Sequence, residues 1–212
     1  LTAQQIKEAI TDKTKLLILS FPNNPTGAVL RRKDLVEIAK VIRDTDIIVL
    51  SDEIYAELVY GEEGFTSIAQ IEGMKERTIV VNGFSKAFSM TGWRLGFAAG
   101  PKPLIDTMIK IHQSCIMAAP TTSQFAAVAA VRECDNDIER MRQEYDFRRK
   151  YCVRKLNEMG LHTFEPKGAF YVFPNISVLG MNSDDFCMQL LKEQNLAIVP
   201  GTAFGESGEG FV

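Results

Sequence analysis

The chain has 212 residues, 46% hydrophobic and 24% charged, which suffices for one good-sized domain or two small ones and excludes global disorder. Lys plus Arg number 24 against 27 Asp plus Glu, giving a net charge of −3, so no basic excess exists to hold a phosphate backbone and no nucleic-acid partner is expected. The apolar stretches are short and interrupted, so no membrane partner is expected either.

The chain starts at Leu1 rather than Met and shows no signal-peptide pattern, so it is expected to be processed or cut from something longer. Thr2 and Gln5 predict a capping box, with Ala3, Ile6 and Ile10 along one helix face. Lys15 to Ser20 is a continuous apolar run, predicting a strand buried on both faces. Leu35, Ile38, Ala39 and Ile42 recur at helical spacing. Asp46 to Leu50, Thr78 to Val81 and Leu95 to Ala99 predict three more strands. Strands alternating with helices imply an α/β fold, a mostly parallel sheet with helices on both faces. Ligands bind such sheets at the carboxyl ends of the strands.

The second half reads differently. Helices are predicted at Leu104 to Met117 and Ser123 to Cys134. A long helix from Ile138 to Met159 is stopped by Gly160. Short strands are expected at His162 to Phe164, Ala169 to Phe173 and Leu196 to Val199, with a helix capped by Ser183 running to about Asn195. The reading is a large-domain part over 1–136 and a small α+β domain over 137–212.

Cys115, Cys134, Cys152 and Cys187 form no Cys-x-x-Cys motif, and helical placement suggests small hydrophobes in a reducing cytoplasm. His112 and His162 have no ligand-like companions, so no metal is expected.

The polar residues carry the functional signal. Three of the predicted strands end in unusual clusters: Pro22-Asn23-Asn24-Pro25-Thr26-Gly27, Ser51-Asp52-Glu53-Ile54-Tyr55 and Asn82-Gly83-Phe84-Ser85-Lys86. Each alone has an ordinary explanation. The first makes a turn, Asp52 caps a helix, Tyr55 is a rim aromatic, Lys86 is solvated, and Arg94 lies on the surface at a strand start. Parallel strands, however, would bring Asn24, Asp52, Tyr55 and Lys86 to one crevice. Such a set, with the Arg94 guanidinium, suits a ligand with an anionic group and a basic nitrogen.

The segment Gly83-Phe84-Ser85-Lys86-Ala87-Phe88-Ser89-Met90-Thr91-Gly92-Trp93-Arg94-Leu95-Gly96 resembles the pyridoxal-phosphate attachment motif of class I/II aminotransferases, with Arg eight residues after the Lys. Asn24-Pro25-Thr26-Gly27, Asp52-Glu53-x-Tyr55, Lys167-Gly168-Ala169-Phe170-Tyr171 and Pro200-Gly201-Thr202-Ala203-Phe204-Gly205 resemble that family too, in order. The resemblance implies pyridoxal 5'-phosphate as cofactor, amino-acid and 2-oxo-acid substrates, and a homodimer. It implies that Lys86 forms the Schiff base and moves the substrate α-proton, and that Asp52 pairs with the ring nitrogen. Tyr55 and Asn24 would bond the ring's 3′ oxygen, and Arg94 the phosphate. It also implies a cis Asn24–Pro25 bond. Relatives with Ser at the Gly83 position place a hydroxyl on the phosphate, which Gly83 does not offer.

Relatives carry a Gly-rich phosphate turn and a ring-stacking aromatic upstream, and downstream an Arg for the substrate carboxylate. The chain alone is therefore expected to be inactive. Two other readings share these motifs: a carbon–sulfur β-lyase and the aminotransferase-like effector domain of a transcription regulator. Dinucleotide, Walker and hydrolase-elbow signatures are missing from this sequence.

Overall fold

The computed structural model describes residues 1–212. Helix α1 (Ala3–Ala9) starts at the expected capping box: Thr2 Oγ1 accepts from Gln5 N at 3.2 Å, and Gln5 Oε1 accepts from Thr2 N at 2.8 Å. Strand β1 (Leu16–Ser20) follows, then α2 (Arg32–Ile42). Strand β2 (Ile48–Asp52) begins two residues later than the apolar run suggests. The reason is a turn in which Thr45 Oγ1 donates to Ile42 O and accepts from Ile47 N. Arg77 reinforces that turn, donating to Ile42 O at 2.9 Å and Thr45 O at 2.5 Å, which satisfies carbonyls at the C-terminal end of α2.

Strands β3 (Thr78–Gly83) and β4 (Gly96–Ala99) complete a four-stranded sheet in the order β1-β2-β3-β4. β1, β2 and β3 are parallel, and β4 is antiparallel to β3. Helices α3 (Lys102–Cys115), α4 (Thr121–Glu133), α5 (Asp135–Glu158) and α6 (Ser183–Gln194) make up most of the remainder.

The core lies against one face of the sheet. Ile38, Ile42 and Val49 are fully buried, with Leu19, Leu35, Ile47, Ile68 and Met74 around them. Each large side chain contributes about 1.5–3 kcal/mol by leaving water. Strand β1 is not buried on both faces, contrary to its continuous apolar run. It is an edge strand: Leu19 is 2% exposed, whereas Leu16 and Ile18, on the opposite face, are 46% and 59% exposed. Ser20 and Asp52 pair in register on that same open face. No helix is long and apolar enough to cross a membrane.

The strands expected in the second half do not form. Thr163 and Pro174 make one isolated bridge, and Val59 and Gly168 another. Ala169 has φ 56°, which breaks the extended run at 169–173. Leu196 to Val199 pairs in no ladder, so this short apolar run has no partner strand to register against. Helix α6 is capped by Asn182, whose Oδ1 accepts from Asp185 N at 2.8 Å, not by Ser183. The fully buried Ser183 hydroxyl instead accepts from Gly210 N at 2.9 Å. Of the four cysteines only Cys187 is buried.

Candidate active site

The carboxyl ends of three parallel strands build the site. After β1, the chain turns sharply. Gly27 N donates to Asn23 O at 2.8 Å, and Thr26 Oγ1 donates to Asn23 Oδ1 at 2.7 Å. The Asn24–Pro25 bond is cis, as expected, and so is Phe21–Pro22. Asn24 stands exposed at the tip.

Gly27 ties this turn to the second half of the chain. Its carbonyl accepts from Lys167 N at 2.8 Å and Gly168 N at 2.9 Å. Its φ is +67°, and a Cβ there would collide with Pro166 Cβ and lie 2.8 Å from Gly168 O. A left-handed conformation costs about 1–2 kcal/mol and an overpacked contact about 1–3 kcal/mol. Gly27→Ala is therefore expected to lower unfolding free energy by about 2–5 kcal/mol in a urea titration. An unchanged midpoint contradicts this.

After β2 come Asp52, Glu53 and Tyr55. Asp52 is the last residue of its strand, not a helix cap, and its Oδ1 accepts from Ile54 N at 3.2 Å. Its second carboxylate oxygen is left for a ligand. Glu53 points the other way, buried, taking hydrogen bonds from Ser51 Oγ at 2.9 Å and Ser67 Oγ at 2.5 Å. Burial raises its pKa against the lowering effect of those hydroxyls.

Tyr55 is 6% exposed, so it is no rim aromatic. Its phenol lies 2.6 Å from that of Tyr171. Burial pushes its pKa up, with the Asp52 carboxylate adding to the shift. At neutral pH Tyr55 is a protonated donor.

After β3, residues 84–95 loop out before β4 returns, closed by Phe84 N donating to Leu95 O at 3.2 Å and Met90 N to Phe84 O at 3.2 Å. Lys86 is half-buried on this loop. Its Nζ lies 5.8 Å from the Tyr55 ring centroid and 5.7 Å from that of Phe170. Packing at Gly83 explains why no hydroxyl side chain stands three residues before Lys86. A Cβ at Gly83 would lie 3.0 Å from both Gly96 Cα and Leu95 O, tighter than ordinary contact, where β3 and β4 meet.

Ser20, Pro22, Asn24, Asp52, Ile54 and Tyr55 together line a crevice of about 310 Å³. Asn24, Asp52 and Tyr55 are thus brought together, with Lys86 against the Tyr55 ring. Arg94 is not part of that wall. It is exposed at φ 51°, donates to Thr91 O at 2.8 Å, and lines a separate depression with Ser89, Trp93 and Thr122. Four of its five donors remain available.

The donor set fits pyridoxal phosphate. A carboxylate with a spare oxygen suits a protonated ring nitrogen, and a phenol and an amide suit a ring oxygen. An amine without an ion pair suits an aldehyde, and a guanidinium suits a phosphate.

Two further aromatics pack against Tyr55: Phe170, edge-on at 5.5 Å, and Tyr171 at 5.8 Å. Their signal was the Lys167–Tyr171 motif, whose distance in sequence hid the contact.

A family profile described as aminotransferase class I and II matches residues 1–212. A putative aminotransferase of Bacillus subtilis, YugH, is 52% identical over all of this chain and 54% of its own length. An aspartate aminotransferase of Pyrococcus abyssi is 49% identical over all of this chain and 55% of its own. A solved aromatic aminotransferase from Pyrococcus horikoshii superposes with a TM-score of 0.96 at 50% identity, over the full chain and 57% of that structure. The chain spans about half the length of the curated relatives it matches.

Proposed function

Given that the chain belongs to the class I and II aminotransferase family, we propose that the protein it represents transfers an amino group between an amino acid and a 2-oxo acid, with pyridoxal 5'-phosphate as cofactor. The observation that carries this reading is the crevice holding Asn24, Asp52 and Tyr55 together, with the half-buried Lys86 amine against Tyr55. When bound, pyridoxal phosphate supplies an electron sink for negative charge at the substrate's reacting carbon.

The residues divide the work. Lys86 would hold the cofactor through its amine, and that amine, when free, would take the substrate α-proton and return it. Asp52 keeps a proton on the ring nitrogen by charge. Tyr55 donates to the ring oxygen, and Asn24 supplies a second donor there. Arg94 holds the phosphate through its fork of donors, which keeps the cofactor in place while Lys86 is free.

The same proposal covers the architecture. Residues 1–136 form part of a large domain and 137–212 part of a small one, a division supported by α5 starting at Asp135. A homodimer is proposed, supported by the apolar side chains that α3 and α4 leave in solvent, among them Ile111, Phe125 and Val131. A cytoplasmic location is proposed, supported by four free thiols.

The relatives are named as transaminases, which favours amino transfer over β-lyase chemistry. The full-length protein, given an amino acid and a 2-oxo acid, is expected to exchange the amino group stoichiometrically. Release of pyruvate and ammonia without an acceptor would sink this reading.

A further inference from the structure

The Tyr55–Tyr171 contact poses a question of proton direction. At 2.6 Å the two phenol oxygens share a single hydrogen, and either is competent to donate it. Whichever accepts keeps its own proton for another partner. Tyr55 is the one of the pair that lines the crevice with Asp52 and Asn24.

Tyr171 sits on a segment held rigidly in place. Arg149, 9% exposed, reaches from α5 and donates to Pro166 O and Glu165 Oε1, both at 2.8 Å. The same guanidinium lies 4.9 Å over the ring of Tyr60, whose hydroxyl donates to Ala169 O. Ala169 N donates to Leu58 O at 2.8 Å, and Phe170 packs 5.2 Å from Tyr145. The Tyr171 ring meets Tyr55 edge-on at 5.8 Å. The phenol is delivered to Tyr55 by packing and hydrogen bonds among residues 58–60, 145–149 and 165–171.

We infer that Tyr171 is a positioning residue for Tyr55: its phenol donates to Tyr55 Oη and leaves the Tyr55 proton aimed at an acceptor oxygen in the crevice. The reverse orientation would present a ligand oxygen with a lone pair. The donation also polarises the Tyr55 O–H and strengthens it as a donor. This inference rests on the reading that Tyr55 donates to the cofactor's ring oxygen.

The test uses full-length protein loaded with pyridoxal phosphate and no substrate, read as the pH midpoint of the visible cofactor band. A hydrogen bond donated to an oxyanion favours the deprotonated form, so its loss raises that midpoint. Tyr55→Phe is expected to raise it. Tyr171→Phe, which keeps the ring contacts, is expected to raise it by about half a unit, roughly a threefold change in equilibrium. The double variant is expected to match Tyr55→Phe alone, because Tyr171 acts through Tyr55. Thermal unfolding checks that Tyr171→Phe retains the fold, and Tyr171→His, which keeps a donor, is expected to restore part of the shift. If Tyr55→Phe moves the midpoint and Tyr171→Phe does not, the inference is overturned and the cofactor reading stands. An additive double variant also overturns it. If Tyr55→Phe moves nothing, both fall.

Discussion

Lys86→Ala in the full-length protein is expected to reduce turnover by at least about 10⁴-fold, the largest effect of any substitution here. Lys86 is assigned two jobs, covalent attachment and α-proton transfer, and a methyl side chain does neither. Loss of a nucleophile is grossly non-additive with the rest of a site, so the remaining ligands cannot compensate. The substitution should not unfold the chain, since Lys86 is half-buried on a loop and its amine contacts only two ring faces. Cofactor should still bind, more weakly, through Asp52, Tyr55, Asn24 and Arg94. Steady-state kinetics and cofactor absorbance test both parts. Turnover within tenfold of the parent protein contradicts the assignment.

Asp52→Asn is expected to lower kcat by roughly 10²–10³-fold with little change in stability. The amide keeps the shape and can still accept from Ile54 N, the one hydrogen bond the Asp52 side chain makes within the protein. What it loses is the negative charge that holds a proton on the ring nitrogen, and with it the ring's capacity to withdraw electrons. The effect should fall on kcat more than on KM, because the charge matters most as the substrate carbon loses its proton. A kcat within threefold of the parent protein contradicts this role.

The topology and the site were legible in the sequence for the same reason. Apolar runs followed by polar clusters at Pro22–Gly27, Ser51–Tyr55 and Asn82–Lys86 mark strand ends, and parallel pairing puts those ends on one edge. Local pattern carried that far because each cluster follows directly on its strand. It failed where a residue's partner lies far away. Ser183 reads as a cap, yet Gly210 takes its hydroxyl and Asn182 does the capping. Residues 169–173 read as a strand, yet Ala169 adopts a positive φ and the segment is fixed by Arg149, Tyr60 and Leu58 instead. The hydrophobicity of β1 implied two buried faces, while Leu16 and Ile18 face solvent in this chain. Tyr171 was part of a recognised motif, but only the fold brings it to Tyr55 across more than a hundred residues of chain.

The central claim is that Lys86 carries the cofactor. Full-length protein loaded with pyridoxal phosphate, reduced with borohydride, digested and analysed by mass spectrometry, is predicted to show the phosphopyridoxyl group on Lys86 in the peptide between Gly83 and Arg94. The group on a different lysine, or on none, contradicts the account.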